Sequence, residues 1–576
     1  MLDEGAILAV AAVLIIVAVS LLAPRVGVAA PILLVVVGLI GSFIPGIPHV
    51  TITPEWILVI VLPPLLYSAA VNMPATDFRR DFGAIGALSV LLVVVSAFAS
   101  GFVIWWLLPD LSLPAAIAIG AVISPPDAVA ATSIGKRLGL PSRLVTILEG
   151  EGLVNDATAL VMLRSAIAAT AGGITLWGAL GDFAYAVLVA IGIGAAVGFA
   201  SVWVRSQVED PVLTTSVSFV VPFAAFIPAE EVHASGVLSV VVAGLITGAM
   251  SAKRFSAHDR ITERTNWRTI QLLLESGVFL LMGFQLKSLV QDVVRAGLSV
   301  WDAVAIGLIA TVVLVVVRVA FVVPLVAWLR RSRAKGRQQA EFLEGALRHI
   351  ENSDLPDDAR TERMTRYIRR RHADASFFAT QGLGWRGGAV LAWSGMRGVV
   401  TLAAAQSIPA SVPYRSELIL IAFIVAVLTL VGQGGTLPWL IRTLGVQGDD
   451  KDETRREYAR LVGELRAAAQ DMFDSPTLHR PDGKPFDPKV VEHVRATSLA
   501  ADDAHDPDTG WSTVPVKLQQ RIELQRLLLD TEQAALLDAR SSGTYRSKTI
   551  ERAQHFLDLL GKDLLAGRVD DLATAA

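Results

Sequence analysis

The chain has 576 residues, of which 53% are apolar and 18% are charged, and its formal net charge is −3. Soluble domains carry about 25% charged residues, so the composition argues against an ordinary soluble enzyme, and the small net charge predicts no nucleic-acid partner. Cysteine is absent from the sequence, which excludes disulfides, thiolate metal sites and cysteine nucleophiles.

Apolar segments of about 20 residues recur along most of the chain, each long enough to cross a hydrocarbon core roughly 30 Å thick. The first begins near Ala6 without the basic region and cleavage site of a secretory signal, so we interpret it as a spanning helix. We predict an all-α membrane protein with about 13 transmembrane helices. Their approximate bounds are 6–23, 27–45, 53–72, 83–108, 113–134, 144–170, 176–204, 211–229, 232–250, 267–287, 299–329, 385–409 and 415–445.

The loops between these spans alternate in charge. Those on one side carry basic residues, as at Arg79–Arg80 and Lys136–Arg137, whereas loops such as PGIPH and PDLSL on the other side have none. The exceptions are Lys287, Arg295 and Arg415. Because basic loops remain in the cytoplasm, we predict an external N-terminus and a cytoplasmic C-terminus.

Two regions lie outside the predicted spans. We expect a transmembrane domain over residues 1–446 with a polar, basic insertion at 332–384, which we interpret as a solvated cytoplasmic loop; contact with anionic lipid is the alternative. Residues 447–576 have the periodicity of amphipathic helices in a cytoplasmic tail. The tail lacks a glycine-rich nucleotide fingerprint, and a regulatory role and a passive cap are both open.

The fifth predicted span contains a double proline followed by an acid, in ISPPDAVAATS (123–133). Pro125 and Pro126 remove two backbone donors and should break the helix within the membrane. Broken helices build ion sites in secondary transporters, although a packed kink is the structural alternative. Asp127 directly after the break favours the functional interpretation, because an acid inside a membrane is costly.

The sixth predicted span begins with three acids, in LEGEGLVNDATALV (148–161). If all were ionised and unpaired at bilayer depth they would be strongly unfavourable, so we expect protonation, a bound ion or a cationic partner. A helix start within the headgroups would explain Glu149. It does not explain Asp156, which apolar residues flank on both sides, so Asp156 is the candidate for ion chemistry.

Arg318 and Arg397 lie within apolar stretches of predicted spans. Arg397 in GMRG needs an acidic partner or backbone carbonyls, and Glu151 and the region of Asp127 are the candidates. A structural salt bridge and a role in transport are both open for Arg397, whereas a structural pairing is expected for Arg318.

The interrupted spans are the fifth and the twelfth, and the odd offset of seven makes them run in opposite directions. An inverted repeat of spans 1–6 and 8–13 would give this arrangement. Short broken segments at matching positions of two halves indicate a site at the membrane midplane.

Five segments together closely resemble the cation/proton antiporter family, which includes bacterial NhaP-type proteins and animal sodium/proton exchangers. They are LPPLLYSAA (62–70), ISPPDAVAATS (123–133), LEGEGLVNDATALV (148–161), SGVLSVVVAGL (235–245) and SGMRGVVTLAAA (394–405). The resemblance implies an NhaA/NhaP-like fold with two broken crossing helices, a homodimer in membrane lipid, and a bacterial plasma membrane location.

The resemblance also implies roles for particular residues. Asn155 and Asp156 match the family's ion site, in which the aspartate binds sodium or a proton and the asparagine steadies the crossing helices. Asp127 matches the family's acid at the helix break. Glu151 and Arg397 match a buried pair that holds the core together.

Two positions depart from the family pattern. Pro126 stands where relatives often have threonine, and Gly152 where they often have serine. Both usual residues offer oxygens near the ion. Their absence does not remove the site, since backbone carbonyls can coordinate the ion. The exact ligands and the preference among cations are therefore open.

The resulting hypothesis is competition between Na+, with Li+ as a further cargo, and H+ for Asp156, without a cofactor. With one exchanging acid, one sodium replaces one proton, so exchange should be electroneutral and serve pH homeostasis. A potassium/proton antiporter is the alternative, and a cation channel a weaker one. The sequence contains neither HExxH nor GxSxG, which argues against a membrane-embedded hydrolase.

Overall fold

The computed structural model describes residues 2–44, 53–170, 176–352, 359–446, 448, 451–475, 478–480, 483–499, 515–558 and 560. Within these residues the protein is helical, with one isolated β-bridge between His479 and Pro485. The all-α prediction is therefore confirmed.

In chain order, the helices of the described residues are α1 (Leu2–Val26), α2 (Ala30–Ser42), α3 (Trp56–Val71), α4 (Ala75–Arg80), α5 (Phe82–Leu107), α6 (Leu113–Ile123), α7 (Ala128–Leu138), α8 (Ser142–Thr170), α9 (Leu176–Arg205), α10 (Pro211–Glu231), α11 (Gly236–Arg254), α12 (Ala257–Phe284), α13 (Leu286–Arg295), α14 (Val300–Glu351), α15 (Ala359–Thr380), α16 (Trp385–Trp393), α17 (Val399–Gln406), α18 (Arg415–Leu444), α19 (Lys451–Asp474), α20 (Pro488–Leu499), α21 (Pro515–Ser542) and α22 (547–558).

Ten segments in the described part of the chain are long and apolar enough to cross a membrane, and the shorter apolar helices α2 and α3 accompany them. The predicted twelfth span is not among these ten. It is divided into α16 with 9 residues and α17 with 8 residues, and each is too short to cross a membrane alone. The total of thirteen spans stays a prediction.

Contacts between residues divide the chain into two compact units. The membrane unit comprises Met1–Ser251, Glu263–Ala334 and Gln381–Gly448. The tail unit comprises Ala252–Thr262, Lys335–Thr380 and Asp449–Ala576. The tail unit therefore includes most of the predicted insertion and a short segment before and within α12, in addition to the predicted tail.

The insertion at 332–384 is not the loop that we expected. Helix α14 continues to Glu351, and α15 covers Ala359–Thr380, while residues 353–358 lie outside the described part. The segment is rich in arginine, alanine, glutamate and glutamine, which are strong helix formers. Its high charge indicated exposure to solvent, which is compatible with a helix as well as with a loop.

The tail unit has apolar cores of its own. In one, α19 and the last two helices pack through Leu461, Leu465, Leu536, Tyr545, Ile550 and Leu557. Arg260, near the start of α12, donates from Nε to Oδ2 of Asp558 at 3.2 Å and also from Nη2 to Oδ1. The described part of the tail thus consists mainly of helices, as its periodicity predicted.

The double proline breaks the fifth predicted span as expected. Helix α6 ends at Ile123 and α7 begins at Ala128. Asp127 caps α7, because its Oδ1 accepts a hydrogen bond from the backbone N–H of Val129 at 2.8 Å. Gly139 ends α7 with a φ of 70°, a conformation that glycine adopts without steric cost.

The segment between α16 and α17 is also non-helical, and it lies against the first break. The backbone N–H of Asp127 donates a hydrogen bond to the carbonyl of Met396 at 2.7 Å. Gly398 comes so close to Asp127 that a β-carbon at position 398 would collide with the Asp127 carboxylate. The two interrupted helices therefore meet at their gaps, whereas the inverted repeat of whole halves stays a prediction.

Candidate ion-binding site

A cavity of about 360 Å³ lies beside the two gaps in the membrane unit. Its walls come from α3, the gap before α7, α7 itself, α8, α12 and the start of α17. Its polar lining includes Asp127, Thr132, Ser133, Asp156, Gln271 and Glu275. The predicted acids Asp127 and Asp156 thus line one cavity, although they lie 29 positions apart in the sequence.

Asn155 connects α8 to the first gap. Its side chain is fully buried, and Nδ2 donates a hydrogen bond to the carbonyl of Pro126 at 2.7 Å. A proline in a helix leaves carbonyls without their usual donors. The side chain of Asn155 supplies a donor to one of these carbonyls. Oδ1 of Asn155 is buried without a hydrogen-bond partner in the described part of the protein.

Asp156 is half-buried on α8 and lines the cavity. It also lines a second, smaller pocket with Pro125, Val400 and Thr401. Neither Asp156 nor Asp127 has a lysine or arginine within 4.0 Å among the described residues. Two carboxylates without a cationic partner are therefore open to a small cation from the cavity.

Packing explains why glycine stands at position 152, where relatives often have serine. It lies on α8 at the cavity wall, and a β-carbon there would come 2.5 Å from the β-carbon of Ala128. Real side chains do not approach this closely, so α8 and the start of α7 require a glycine at this contact. A serine hydroxyl at 152 would not fit this packing.

The expected Glu151–Arg397 pair is wrong. Glu151 instead forms a bidentate salt bridge with Arg318, with Nη1–Oε1 at 2.5 Å and Nη2–Oε2 at 2.8 Å. Both side chains are 2% exposed. The structural pairing that we expected for Arg318 is present. The sequence identified the buried charges but did not determine which helix faces meet.

Arg397 binds backbone carbonyls. Its Nε donates to Ile123 at 3.0 Å, Nη2 donates to Ser124 at 3.3 Å, and Nη1 donates to Gly395. The last carbonyls of α6 have no partner within their own helix, and a guanidinium at a helix C-terminus is also favourable for the helix dipole. Arg397 therefore ties the end of α6 to the second gap.

The sequence analysis missed Glu275, which lies on α12 and lines the same cavity. Its Oε1 accepts a hydrogen bond from Nε2 of Gln271 at 2.6 Å. The signal was present, because Glu275 is a single acid in the apolar run LLLESGVFLL. This is the criterion that identified Asp156.

Replacing Gly398 with alanine tests the close contact between the gaps. We expect Gly398→Ala to destabilise the protein by about 1–3 kcal/mol, because overpacking forces neighbouring groups to move. Thermal melting in detergent is the measurement. Gly432→Ala on α18 is the matched control, since an added β-carbon there meets nothing within 4 Å. Equal melting temperatures for both variants would contradict the contact.

Comparisons with known proteins found matches in sequence. A family model described as "Sodium/hydrogen exchanger, transmembrane" matches residues 10–443. The chain is 27% identical to the uncharacterized Na(+)/H(+) exchanger Rv2287 of Mycobacterium tuberculosis, with 97% of this chain and 96% of the relative covered. It is 28% identical to the Na(+)/H(+) antiporter ApNhaP of Aphanothece halophytica, with 76% and 73% covered.

A solved structure matches the fold. The sodium proton antiporter MjNhaP1 from Methanocaldococcus jannaschii superposes with a TM-score of 0.53 at 15% identity, covering 77% of this chain and 99% of that chain. At this level of identity the likeness is one of fold. The predicted NhaP-like fold is therefore confirmed.

Proposed function

Since the chain belongs to the sodium/hydrogen exchanger family, we propose that it exchanges Na+ for H+ across a bacterial plasma membrane by alternating access at Asp156. Membership of the family makes the protein a multi-pass membrane transporter that exchanges a cation for protons, and not an enzyme. The choice of cation, the stoichiometry and the residues that carry the exchange are our proposals.

One observation carries the proposal about the site. Asp156 lines a cavity at the crossing of two broken helices, and no lysine or arginine pairs with it among the described residues. An ionised carboxylate at membrane depth is costly without a partner. Sodium or a proton supplies that partner, and one carboxylate holds one of them at a time.

The other groups at the site have supporting roles in this mechanism. Asn155 holds the carbonyl of Pro126 and thereby fixes the gap beside Asp156. Asp127 adds negative charge to the cavity while it caps α7. Its carboxylate already accepts a hydrogen bond from Val129, so we assign the exchange of sodium and protons to Asp156 and a supporting electrostatic role to Asp127.

The stoichiometry follows from the residue at position 155. A neutral asparagine precedes the single exchanging aspartate, so each cycle moves one sodium one way and one proton the other way. The charge carried in the two directions is equal. We therefore propose electroneutral exchange, without a cofactor, that contributes to pH homeostasis in a homodimer embedded in lipid.

An exposed basic residue lines one part of the cavity. Lys136 on α7 pairs with Glu149 at 2.6 Å, and both line the cavity, with the lysine side chain 64% exposed. Basic loops lie on the cytoplasmic side. We propose that the cavity opens to the cytoplasm, with the N-terminus outside and the C-terminus inside, so that this conformation is the inward-facing one.

Proteoliposomes that contain a pH-sensitive dye test the activity. We expect addition of Na+ to drive proton movement at a rate that does not change when potassium and valinomycin clamp the membrane potential, because electroneutral exchange carries no net charge. Sodium flux without proton movement would indicate a channel. A rate that follows the clamped potential would contradict the stoichiometry of one to one.

Substituting Li+ or K+ for Na+ in the same assay tests the choice of cation, with valinomycin left out of all three measurements so that they can be compared. We expect Na+ to give the largest response and Li+ a measurable one. A larger response to K+ would show that the protein exchanges potassium in preference to sodium. The assignment of Asp156 would not change.

A further inference from the structure

Glu275 is a third acid in the cavity, and the exchange mechanism does not use it. It lies half-buried on α12, in an apolar stretch of that helix. Neither lysine nor arginine lies within ion-pair distance of it in the parts of the chain that the structure describes. A buried carboxylate without a cationic partner is costly, so a purely structural role would favour a neutral side chain.

A short chain of hydrogen bonds fixes the position of Glu275. Ser68 on α3 donates from Oγ to Oε1 of Gln271 at 3.2 Å, and Gln271 donates from Nε2 to Oε1 of Glu275 at 2.6 Å. Ser68 thus orients the side-chain amide of Gln271, and this amide donates the hydrogen bond to Glu275. One oxygen of Glu275 is held in place, while Oε2 has no hydrogen bond among the described residues.

The lining of the cavity has more acidic than basic groups. The acids without a cationic partner are Asp127, Asp156 and Glu275, whereas the one lysine in the lining, Lys136, pairs with Glu149. Asp127 and Lys136 line the same cavity as Glu275. A pocket lined by one sign of charge raises the local concentration of counter-ions.

We propose that Glu275 is a cation-binding residue that holds the incoming monovalent cation in the cavity before Asp156 receives it. Glu275 does not exchange a proton for the cation in each cycle, so the stoichiometry stays one to one. This inference rests on the proposed function.

The test compares the Na+ dependence of exchange in Glu275→Gln with that of the unaltered protein in proteoliposomes. Glutamine keeps the size and the hydrogen bond to Gln271 but removes the charge. We expect KM for Na+ to rise roughly three- to tenfold, because the cation loses one nearby attractive charge, while the rate at saturating Na+ stays within about twofold. Glu275→Asp, which keeps the charge, should restore most of the affinity.

Ionic strength separates electrostatic attraction from a change in shape. The difference in KM between Glu275→Gln and the unaltered protein should shrink when an impermeant salt is added, because salt screens charges in a water-filled cavity. A change in packing would leave that difference unaltered. Glu344→Gln is the matched control, since it removes an exposed carboxylate that pairs with Arg348 outside the cavity.

Two results would overturn the inference. One is an unchanged KM in Glu275→Gln, and the other is loss of exchange at saturating Na+ in a folded variant, which would make Glu275 part of the exchanging site. If the unaltered protein and Glu344→Gln both exchange Na+ for H+, either result removes only this inference. Absence of exchange in the unaltered protein would instead remove the proposed function.

Discussion

Asp156→Asn is expected to abolish sodium-driven proton movement in proteoliposomes and to leave the protein folded. Asparagine has nearly the same volume as aspartate but cannot release a proton or balance the charge of a sodium ion. Because Asp156 has no lysine or arginine partner among the described residues, removing its charge leaves no cation unpaired. The melting temperature in detergent should therefore stay the same or rise.

The matched control is Asp292→Asn, which removes an aspartate that pairs with Arg295 at 3.0 Å on an exposed face of α13. This variant should exchange at the unaltered rate, because exposed ion pairs contribute little. If Asp156→Asn folds and still drives proton movement with sodium, the exchanging acid is another residue and the mechanism is wrong.

Breaking the Glu151–Arg318 salt bridge is expected to have the largest effect on stability. Each of Glu151→Ala and Arg318→Ala should lower the free energy of unfolding by about 3–5 kcal/mol, because the remaining buried charge loses its partner. Arg318 also donates from Nε to the carbonyl of Leu391 at 3.2 Å, so its loss affects α16 as well. Thermal or denaturant unfolding in detergent measures the change.

A double-mutant cycle distinguishes the observed pair from the one that the sequence suggested. The double variant of Glu151 and Arg318 should be much more stable than the sum of the two single losses predicts, because no unpaired charge remains. The combination of Glu151→Ala with Arg397→Ala should show a smaller coupling, since Arg397 donates to carbonyls. Equal couplings would argue against the assignment of the pair.

The breaks and the buried acids could be predicted because each depends on local chemistry. Pro125 and Pro126 remove backbone donors wherever the helix lies, and an acid such as Asp156 within an apolar run can be recognised from the sequence before its neighbours in space are known. The position of Asp127 at the start of α7 follows from the same local rules, since aspartate is a favourable helix cap.

The partner of Glu151 could not be predicted in the same way. Arg318 and Arg397 both lie in apolar segments, and the choice between them depends on how α8 and α14 face each other. Only the folded arrangement brings both nitrogen atoms of Arg318 onto the carboxylate. The role of Gly152 likewise depends on the contact of α8 with Ala128, which lies 24 positions away in the sequence.

The gaps in the crossing helices supply their own polar partners. Arg397 binds the carbonyls of Ile123 and Ser124, Asn155 binds that of Pro126, and Asp127 donates to Met396. The main-chain oxygens of Ile123, Ser124, Pro126 and Met396 thus already have donors within the protein. In the proposed mechanism, protection against an ion leak comes from electrostatics, because the bare Asp156 carboxylate makes the return of the unloaded protein costly.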